Sequence, residues 1–190
     1  MEDRRSSGVA LISSRTSTAQ PSSAPVTTIT PQYLPPQDVP LTSNGVDPSS
    51  LHDALTLKSG MVIDTAQAPG VRCFVPMGDG TNGNNGHCAT TESIDAGEVV
   101  HVIDHCNDKG VGTRLIIGLV TTGVTGVTLT RADGSTEQAD ANDGVYAFED
   151  ELGANASVPV AVDWDKPTGT VVMTQHLPSG IPPGCLQRTS

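Results

Sequence analysis

The sequence contains few aromatic and few basic side chains. Aromatic residues make up 3% of the 190 residues, and 10 Lys and Arg residues stand against 21 Asp and Glu residues, which gives a formal net charge of −11 at pH 7. Nucleic acids and anionic lipid surfaces are bound through a clustered positive field. The composition therefore argues against nucleic acid and against anionic lipid as partners.

Long apolar runs and familiar enzyme motifs are also lacking. No stretch approaches the ~18 apolar residues of a membrane helix. The only apolar run near the start, residues 8–12, is too short for the core of a signal peptide. The sequence has no phosphate-binding loop, no dinucleotide fingerprint and no Gly-x-Ser-x-Gly elbow. We therefore expect no cofactor, and most well-marked enzyme classes are disfavoured.

Residues 1–46 have the composition of a spacer. Ser, Thr and Pro dominate, and between residues 6 and 46 the only charged side chains are Arg15 and Asp38. Such a segment cannot bury enough apolar surface to offset the entropy lost on ordering. We predict that residues 1–46 form a disordered spacer and that residues 47–190 form one domain. At about 140 residues, that domain is large enough to bury roughly two-thirds of its unfolded surface.

The four cysteines predict two disulfide bonds. An even number of cysteines behind a Ser/Thr/Pro-rich leader is typical of an exported protein, because disulfides persist outside the cytoplasm. Cys73 and Cys88 would close a loop of about 15 residues, which the chain-entropy model credits with ~3 kcal/mol. Cys106 and Cys185 would then hold the C-terminal tail against the domain. Three pairings of four cysteines remain open, and this one is favoured.

The predicted disulfide bonds conflict with the lack of an export segment in the sequence. The conflict disappears if a signal peptide or a membrane anchor precedes residue 1, with the spacer following it. We therefore expect an extracytoplasmic protein, either secreted or tethered to a membrane through such an upstream segment.

Turn-forming residues divide the rest of the chain into short elements. Asp47 followed by Pro48 predicts the start of a helix over residues 47–57, and residues 90–95 predict one helical turn that Gly97 ends. Runs rich in β-branched residues predict strands over residues 61–64, 71–76, 98–103, 115–120, 124–131, 135–140, 145–148, 158–164 and 170–175.

This pattern predicts a mainly β fold. The pair Asp133-Gly134 lies between alternating runs and predicts a hairpin, and residues 165–169 predict another. No repeat at solenoid spacing is present, so we expect a compact antiparallel domain of about eight strands, sandwich-like or partly barrelled, with one or two short helices. Four aromatic residues lie in predicted strands and are expected to anchor the core: Phe74, Tyr146, Phe148 and Trp164.

The histidines next to cysteines raise the alternative of a zinc site. His87, His101 and His105 lie with Cys88 and Cys106 within 20 residues, and zinc accepts both ligand types. However, the spacing lacks the close cysteine pairs of familiar zinc sites, and side chains along a strand alternate between faces. We expect no metal centre, and disulfide bonding of the cysteines remains the favoured interpretation.

Three other motifs carry weaker alternatives. The loop that begins at Asp79 offers alternating oxygen ligands, but it lacks the paired aspartates and the closing Glu of a calcium loop. Cys106 beside His105 is the best candidate for a thiol nucleophile, although the thiol would have to be unpaired. Asn155 begins an Asn-Ala-Ser acceptor sequon, which matters only in a glycosylating host.

Acidic residues cluster between positions 140 and 151. Two carboxylates at a suitable separation could perform the acid–base chemistry of glycoside hydrolysis. At predicted turns, however, Asp and Glu are commonly just solvated. The candidates are Asp140, Asp143, Glu149, Asp150 and Glu151.

The region around residues 117–147 resembles a group of uncharacterised actinobacterial proteins. The shared pattern is GLVPDGV…VTL…DGS…N.VY, here found in residues 117–129, 132–135 and 142–147, preceded by the strand of Cys73 and by Cys88-Ala89-Thr90. This chain has Thr121-Thr122 where the pattern has Pro-Asp. The resemblance covers about residues 50–176. It implies an extracytoplasmic β-rich domain, often tethered by an N-terminal membrane segment and a spacer, and it implies no activity.

Taken together, these observations predict a non-enzymatic binding or structural module of the cell envelope or the secreted fraction, displayed on a flexible spacer. Loops on a rigid β scaffold would do the binding. The alternative is a cell-envelope hydrolase that uses the carboxylates at Asp140 to Glu151. The sequence does not identify the partner, which we expect to be a protein or an envelope ligand.

Overall fold

The computed structural model describes residues 26–32, 37–78, 83–106, 112–152, 156–169 and 171–178. Within them the chain is mainly β, as predicted. The strands are β1 (Thr27–Ile29), β2 (Gln37–Pro40), β3 (His52–Thr56), β4 (Val62–Ala68), β5 (Val71–Met77), β6 (Asn85–Thr90), β7 (Val100–Cys106), β8 (Gly112–Leu119), β9 (Gly126–Arg131), β10 (Thr136–Asp140), β11 (Val145–Leu152), β12 (Pro159–Asp165) and β13 (Val171–His176). One α-helix, α1, covers Thr91–Asp95, and 3-10 helices cover Leu41–Asn44 and Pro48–Ser50.

The strands form three sheets. Sheet I has the order β1-β13-β12-β9-β10, sheet II the order β11-β8-β7, and sheet III the order β2-β6-β5-β4-β3. Neighbouring strands are antiparallel except β1 and β13, which are parallel. Among the described strands, none of the three sheets closes into a barrel. The architecture is therefore a layered, sandwich-like arrangement.

Sheet II is the middle layer. On β8, Ile116 packs into a core cluster with residues of sheet I, while the next residue, Ile117, packs into a cluster with residues of sheet III. On β11, Tyr146 and Val145 divide between the same two clusters. Because successive side chains of a strand point to opposite faces, a sheet buried on both faces reads as a continuous apolar run. The runs around residues 115–120 and 145–148 have this origin.

The predicted aromatic anchors all lie in the core. Phe74 and Tyr146 are fully buried, and Phe148 and Trp164 nearly so. The ring of Tyr146 lies 6.0 Å from that of Phe148 and 6.4 Å from that of Trp164. The Tyr146 ring also covers Gly118, its partner on β8, so closely that a Cβ at Gly118 would overlap the ring. A glycine is therefore required at this position for close packing.

The helix predicted over residues 47–57 is wrong beyond Ser50. Asp47 does cap a helical turn, because its carboxylate accepts a hydrogen bond from Ser49 N at 2.9 Å, but that turn ends after Pro48–Ser50. The chain then enters β3, which pairs with β4. Pairing with a neighbouring strand overrides the local helical pattern. The short helix after Thr90 does form, with Thr90 as its N-cap and Gly97 in the left-handed region after it.

The described fold extends to the N-terminal side of Asp47, where the domain was predicted to begin. β1 pairs with β13, β2 pairs with β6, and Leu41 and Val46 are almost completely buried against sheet III. These short segments contribute two edge strands and cover the outer face of sheet III. They account in part for the strand number being larger than the eight or so predicted. Residues 1–25 lie outside the described part of the chain.

Both predicted hairpins form within sheet I. β9 and β10 are joined through Asp133 and Gly134, and β12 and β13 through the turn at residues 166–169. The turn at residues 142–144 instead carries the chain from β10 in sheet I to β11 in sheet II. This turn also contacts sheet III, because Asn142 bonds to the backbone of Ala54 on β3.

Candidate functional site

The first predicted disulfide is present. Cys73 on β5 and Cys88 on β6 lie directly opposite each other in the antiparallel ladder, and their sulfurs are bonded. The bond lies on the outer face of sheet III, in a cluster with the buried Leu41 and Val46. Cys185 and the side chain of Cys106 lie outside the described part of the chain, so the second pairing stays a prediction.

The histidines proposed as metal ligands do not gather in one place. The rings of His87 and His101 stack with their centroids 4.0 Å apart, whereas His105 lies exposed further along β7. Ring nitrogen lone pairs lie in the plane of the ring, so stacked imidazoles do not direct them at one ion. No group of three or more His, Cys, Asp or Glu side chains suited to a metal occurs in the described residues. Asp79 lies outside them.

Burial changes the chemistry of one histidine of this stack. His101 lies between sheets II and III, with Phe74 at 6.3 Å as well as His87 against it. Loss of solvent and then the neighbouring His87 lower its pKa, and Asp38 opposes the change, so that the pKa falls to about 4. At neutral pH His101 is therefore a neutral ring that packs in an interface between layers.

The predicted carboxylates are dispersed. Asp150 accepts hydrogen bonds from Nε and Nη2 of Arg131, Glu149 accepts one from Ser59 N at 2.9 Å, and Asp143 is paired with His52. Asp140 lies at the end of β10 and Glu151 is exposed on β11. Most of the set therefore serves in structural ion pairs and hydrogen bonds. Asn155 and residues 79–82 lie outside the described residues.

A carboxyl group with a perturbed pKa occurs elsewhere, on sheet III. Asp64 is nine-tenths buried and lies opposite Asp53 on the neighbouring strand. Its Oδ1 atom has no hydrogen-bond partner among the described residues. Burial, together with the charge and hydrogen bond of Asp53, raises the pKa of Asp64. Neither carboxylate lines either of the two large clefts described next.

The first cleft, of about 530 Å³, lies along sheet I and is called here the sheet I cleft. It contains the predicted Asp140 together with Asp163 and Asp165. Asp163 accepts hydrogen bonds from Thr174 Oγ1 at 2.6 Å and from Thr130 Oγ1 at 3.2 Å. Both oxygens of Asp163 are thus already engaged on this polar face. The remaining lining residues are Gly123, Val124, Thr125, Gly126, Val127, Thr128, Gln138, Ala139, Trp164, Lys166, Pro167 and Val172.

The second cleft, of about 560 Å³, lies between sheet III and two loops and is called here the loop cleft. Its lining residues are His52, Thr65, Ala66, Gln67, Arg72, Thr122, Gly123, Val124, Thr125, Ala141, Asp143 and Gly144. His52 pairs with Thr65 across β3 and β4, and Gln67 pairs with Arg72 across β4 and β5. Alternation along the strands places these polar residues on the face of sheet III that, further along, covers sheet II.

The turn at the mouth of the loop cleft has a fixed shape. Asn142 and Val145 exchange both backbone hydrogen bonds, and the two residues between them, Asp143 and Gly144, have φ angles of 48° and 72°. Two central residues with positive φ define a type I′ turn. Asn142 Nδ2 also donates to Ala54 O at 2.7 Å, which ties the turn to β3.

His52 and Asp143 form a pair that resembles part of a catalytic triad. His52 Nε2 lies 3.1 Å from Asp143 Oδ2, and Nδ1 lies 3.2 Å from the carbonyl oxygen of Ser50. Both partners are acceptors, so the ring satisfies them when both nitrogens carry a proton. The Ser50 carbonyl and then Asp143 raise the pKa of His52 accordingly. A triad histidine needs one nitrogen for the nucleophile, and here neither nitrogen is available for that role.

Arg72 is the other charged group of the loop cleft. Its Nη1 donates to Val120 O at 3.1 Å and its Nη2 to Thr122 Oγ1 at 3.2 Å. Arg72, Gln67 and Thr122 also line an adjoining cleft of about 210 Å³. Neither His52 nor Arg72 stands out in the sequence as a site residue. His52 lay in a segment interpreted as a helix, and Arg72 stood out only as one of few basic residues.

No protein-family model, curated protein or solved structure matches this chain. Among the described residues, none of the helices has the length and apolar character needed to span a bilayer. The chemistry of the clefts is therefore the basis for a function.

Proposed function

We propose that this chain is a non-enzymatic, extracytoplasmic binding module that takes its ligand in the loop cleft. The observation that carries the proposal is a concave cleft of ligand size, lined by apolar groups and a few polar side chains, whose histidine is committed to two acceptors. Within this proposal the chain is secreted or tethered to the cell envelope and belongs with the actinobacterial extracytoplasmic proteins it resembles. The partner is an envelope ligand or a protein.

The disulfide bond supports the proposed extracytoplasmic location. Cys73 and Cys88 are bonded in the core of the outer layer, and such structural bonds persist in oxidising compartments. The negative charge of the chain favours neither nucleic acid nor an anionic membrane as its ligand.

The construction of the loop cleft supports binding. Hydrogen bonds from Asn142 to Ala54 and from Arg72 to Val120 connect the loops to sheet III. A site whose walls are held in place loses little entropy when a ligand binds. A binding module needs this rigidity and does not need a free general base.

The experiment is co-sedimentation of the purified protein with insoluble peptidoglycan and with insoluble envelope polysaccharide. We expect binding to one of them, and we expect Thr122→Arg, which fills the cleft, to weaken it about tenfold or more. Thr136→Arg is the matched control, because Thr136 is exposed on β10 and lines neither large cleft. Equal weakening by both variants, or no binding to either material, would overturn the proposal.

The alternative, a cell-envelope hydrolase, has one observation in its favour. Asp140, Asp163 and Asp165 line the sheet I cleft, so a pair of carboxylates for glycoside hydrolysis would come from there. Release of reducing ends from envelope polysaccharide, abolished by Asp140→Asn, would establish the alternative. We expect no such release.

A further inference from the structure

Among the Lys and Arg residues that the structure describes, Arg72 differs from most in having no carboxylate partner. The structure describes five Lys and Arg residues, and three of them form ion pairs with carboxylates: Lys58, Arg114 and Arg131. In the described part of the chain, Arg72 and Lys166 have hydrogen-bond partners but no carboxylate within 4.0 Å. Of these two, only Arg72 lines the loop cleft and is half-buried.

The Arg72 guanidinium is held in place with donors to spare. Val120 O and Thr122 Oγ1 each take one N–H group. The guanidinium also packs against the backbone of Gly144, where a Cβ would overlap it. A guanidinium has five N–H donors. Nε–H and the second N–H of each Nη have no acceptor among the described residues.

The surroundings of Arg72 match a carboxylate better than a phosphate. One guanidinium and one carboxylate form a planar pair with two parallel hydrogen bonds and cancelling charges. A phosphate dianion calls for more positive charge, whereas the cleft's other basic side chain, His52, is paired with Asp143. Gln67 and Thr125 are exposed at the same cleft and can bind hydroxyl or amide groups.

We propose that Arg72 binds the carboxylate of a small polar ligand in the loop cleft. The inference rests on the proposed function and names its ligand class. Two sources carry this chemistry, the uronic acid of a polysaccharide and the C-terminal carboxylate of a peptide. The guanidinium donates through its free edge, and the neighbouring hydroxyl and amide groups bind the rest of the ligand.

The test is a titration followed by ¹H–¹⁵N NMR, with two probes and their neutral counterparts. Glucuronate is compared with glucose, and N-acetyl-alanine with N-acetyl-alaninamide. We expect one carboxylate probe to shift the Arg72 Nε–H signal and the Gly144 amide in a saturable way. The neutral counterpart should bind about tenfold more weakly or worse, because it cannot form a charge-assisted bidentate pair. The probe that binds identifies the source of the carboxylate.

Variants separate charge from geometry. Arg72→Gln should weaken the carboxylate probe about tenfold or more, and Arg72→Lys should weaken it less, because lysine keeps the charge and loses the planar fork. Lys166→Gln removes the same charge outside the loop cleft and should leave binding unchanged. If Arg72→Gln does not fold, the wild-type titration with its neutral counterparts still decides the question.

Failure of this inference is distinct from failure of the proposed function. Equal binding of charged and neutral probes, or no shift at Arg72 with either carboxylate, overturns the carboxylate assignment. Co-sedimentation that Thr122→Arg weakens and Thr136→Arg leaves unchanged would still support the binding module in that case. Loss of both results overturns the binding module as well.

Discussion

Asp104 on β7 and Arg114 on β8 lie directly opposite each other and form a two-point ion pair. Arg114 Nε donates to Asp104 Oδ1 at 2.7 Å and Nη2 donates to Oδ2 at 2.9 Å. The side chain of Arg114 is 3% exposed and that of Asp104 19%. Among the described strands β7 is an edge of sheet II, and the pair joins it to the buried strand β8.

Asp104→Asn should destabilise the fold by about 3 kcal/mol, because it removes the negative charge that Asp104 places against a buried guanidinium. The measurement is the free energy of urea unfolding at pH 7, followed by the fluorescence of Trp164, the only tryptophan. Asp140→Asn is the control, since Asp140 is exposed, and it should change stability by less than about 0.5 kcal/mol. A loss below about 1 kcal/mol in Asp104→Asn would contradict the structural role of the pair.

His101 should make the protein less stable in acid. Its pKa in the fold is about 4, below the ordinary 6.5, so the unfolded chain takes up the proton more readily. The stability contribution of the neutral ring is complete above pH 6.5 and is lost as the pH falls toward 4. The full effect of this shift is at most about 3 kcal/mol, less any relaxation around the ring.

The measurement is the unfolding free energy of wild type and His101→Gln between pH 4 and pH 7. The difference between them should shrink by 1 kcal/mol or more, roughly, as the pH falls, because the variant has no proton to gain at this position. His176→Gln, which changes an exposed histidine on β13, is measured beside it as the control. If the unfolding free energy of His101→Gln followed that of wild type in parallel across this pH range, His101 would not be buried between the layers.

Asp64→Asn should stabilise the protein at neutral pH. The pKa of Asp64 is raised in the fold by burial and by Asp53, so the fold favours the protonated form and loses stability as the pH rises through that pKa. The variant should gain about 1 kcal/mol at pH 7. The gain should vanish below the ordinary pKa of 3.8. A stability difference between variant and wild type that stays constant across this pH range would contradict the explanation. Asp53→Asn, at the exposed partner of Asp64, is measured for comparison.

Gly118→Ala should destabilise the protein by about 3 kcal/mol, because the added methyl group overlaps the buried ring of Tyr146. Thermal unfolding measures the loss. Adding Tyr146→Leu to Gly118→Ala should recover part of it, because the smaller side chain vacates the space above Gly118. If the double variant loses the sum of both single effects, the two side chains do not compete for that space.

The described part of the chain ends near the strand partner of Cys106, so the predicted bond between Cys106 and Cys185 can be reached from there. Arg114 Nη1 donates to Pro178 O at 3.5 Å, and Arg114 lies two residues from Gly112, the strand partner of Cys106. Seven further residues can span up to about 24 Å. Peptide mapping after alkylation without reductant should therefore find the pairs 73–88 and 106–185 and no alkylated thiol. Alkylation of Cys106 would refute the second pairing.

Local patterns predicted most strands, because pairing partners share alternation and turn chemistry that a short window contains. The apolar run around Ile116 and the Asp133-Gly134 turn are examples. The same window misassigned His52, since β3 exists only through its pairing with β4. The loop cleft was not predictable for the same reason. His52, Arg72, Thr122 and Asp143 are distant in sequence and meet only when the three sheets pack.

The most direct test of the account is amide hydrogen exchange of the wild-type protein with and without the envelope polymer that it sediments with. Binding in the loop cleft predicts slower exchange at residues 65–67 and 141–144, which include lining residues of the loop cleft and none of the sheet I cleft. It also predicts no change on β10 and no soluble fragments released from the polymer. Slower exchange confined to β10 and β12 of the sheet I cleft, with release of fragments, would contradict the account and establish a hydrolase.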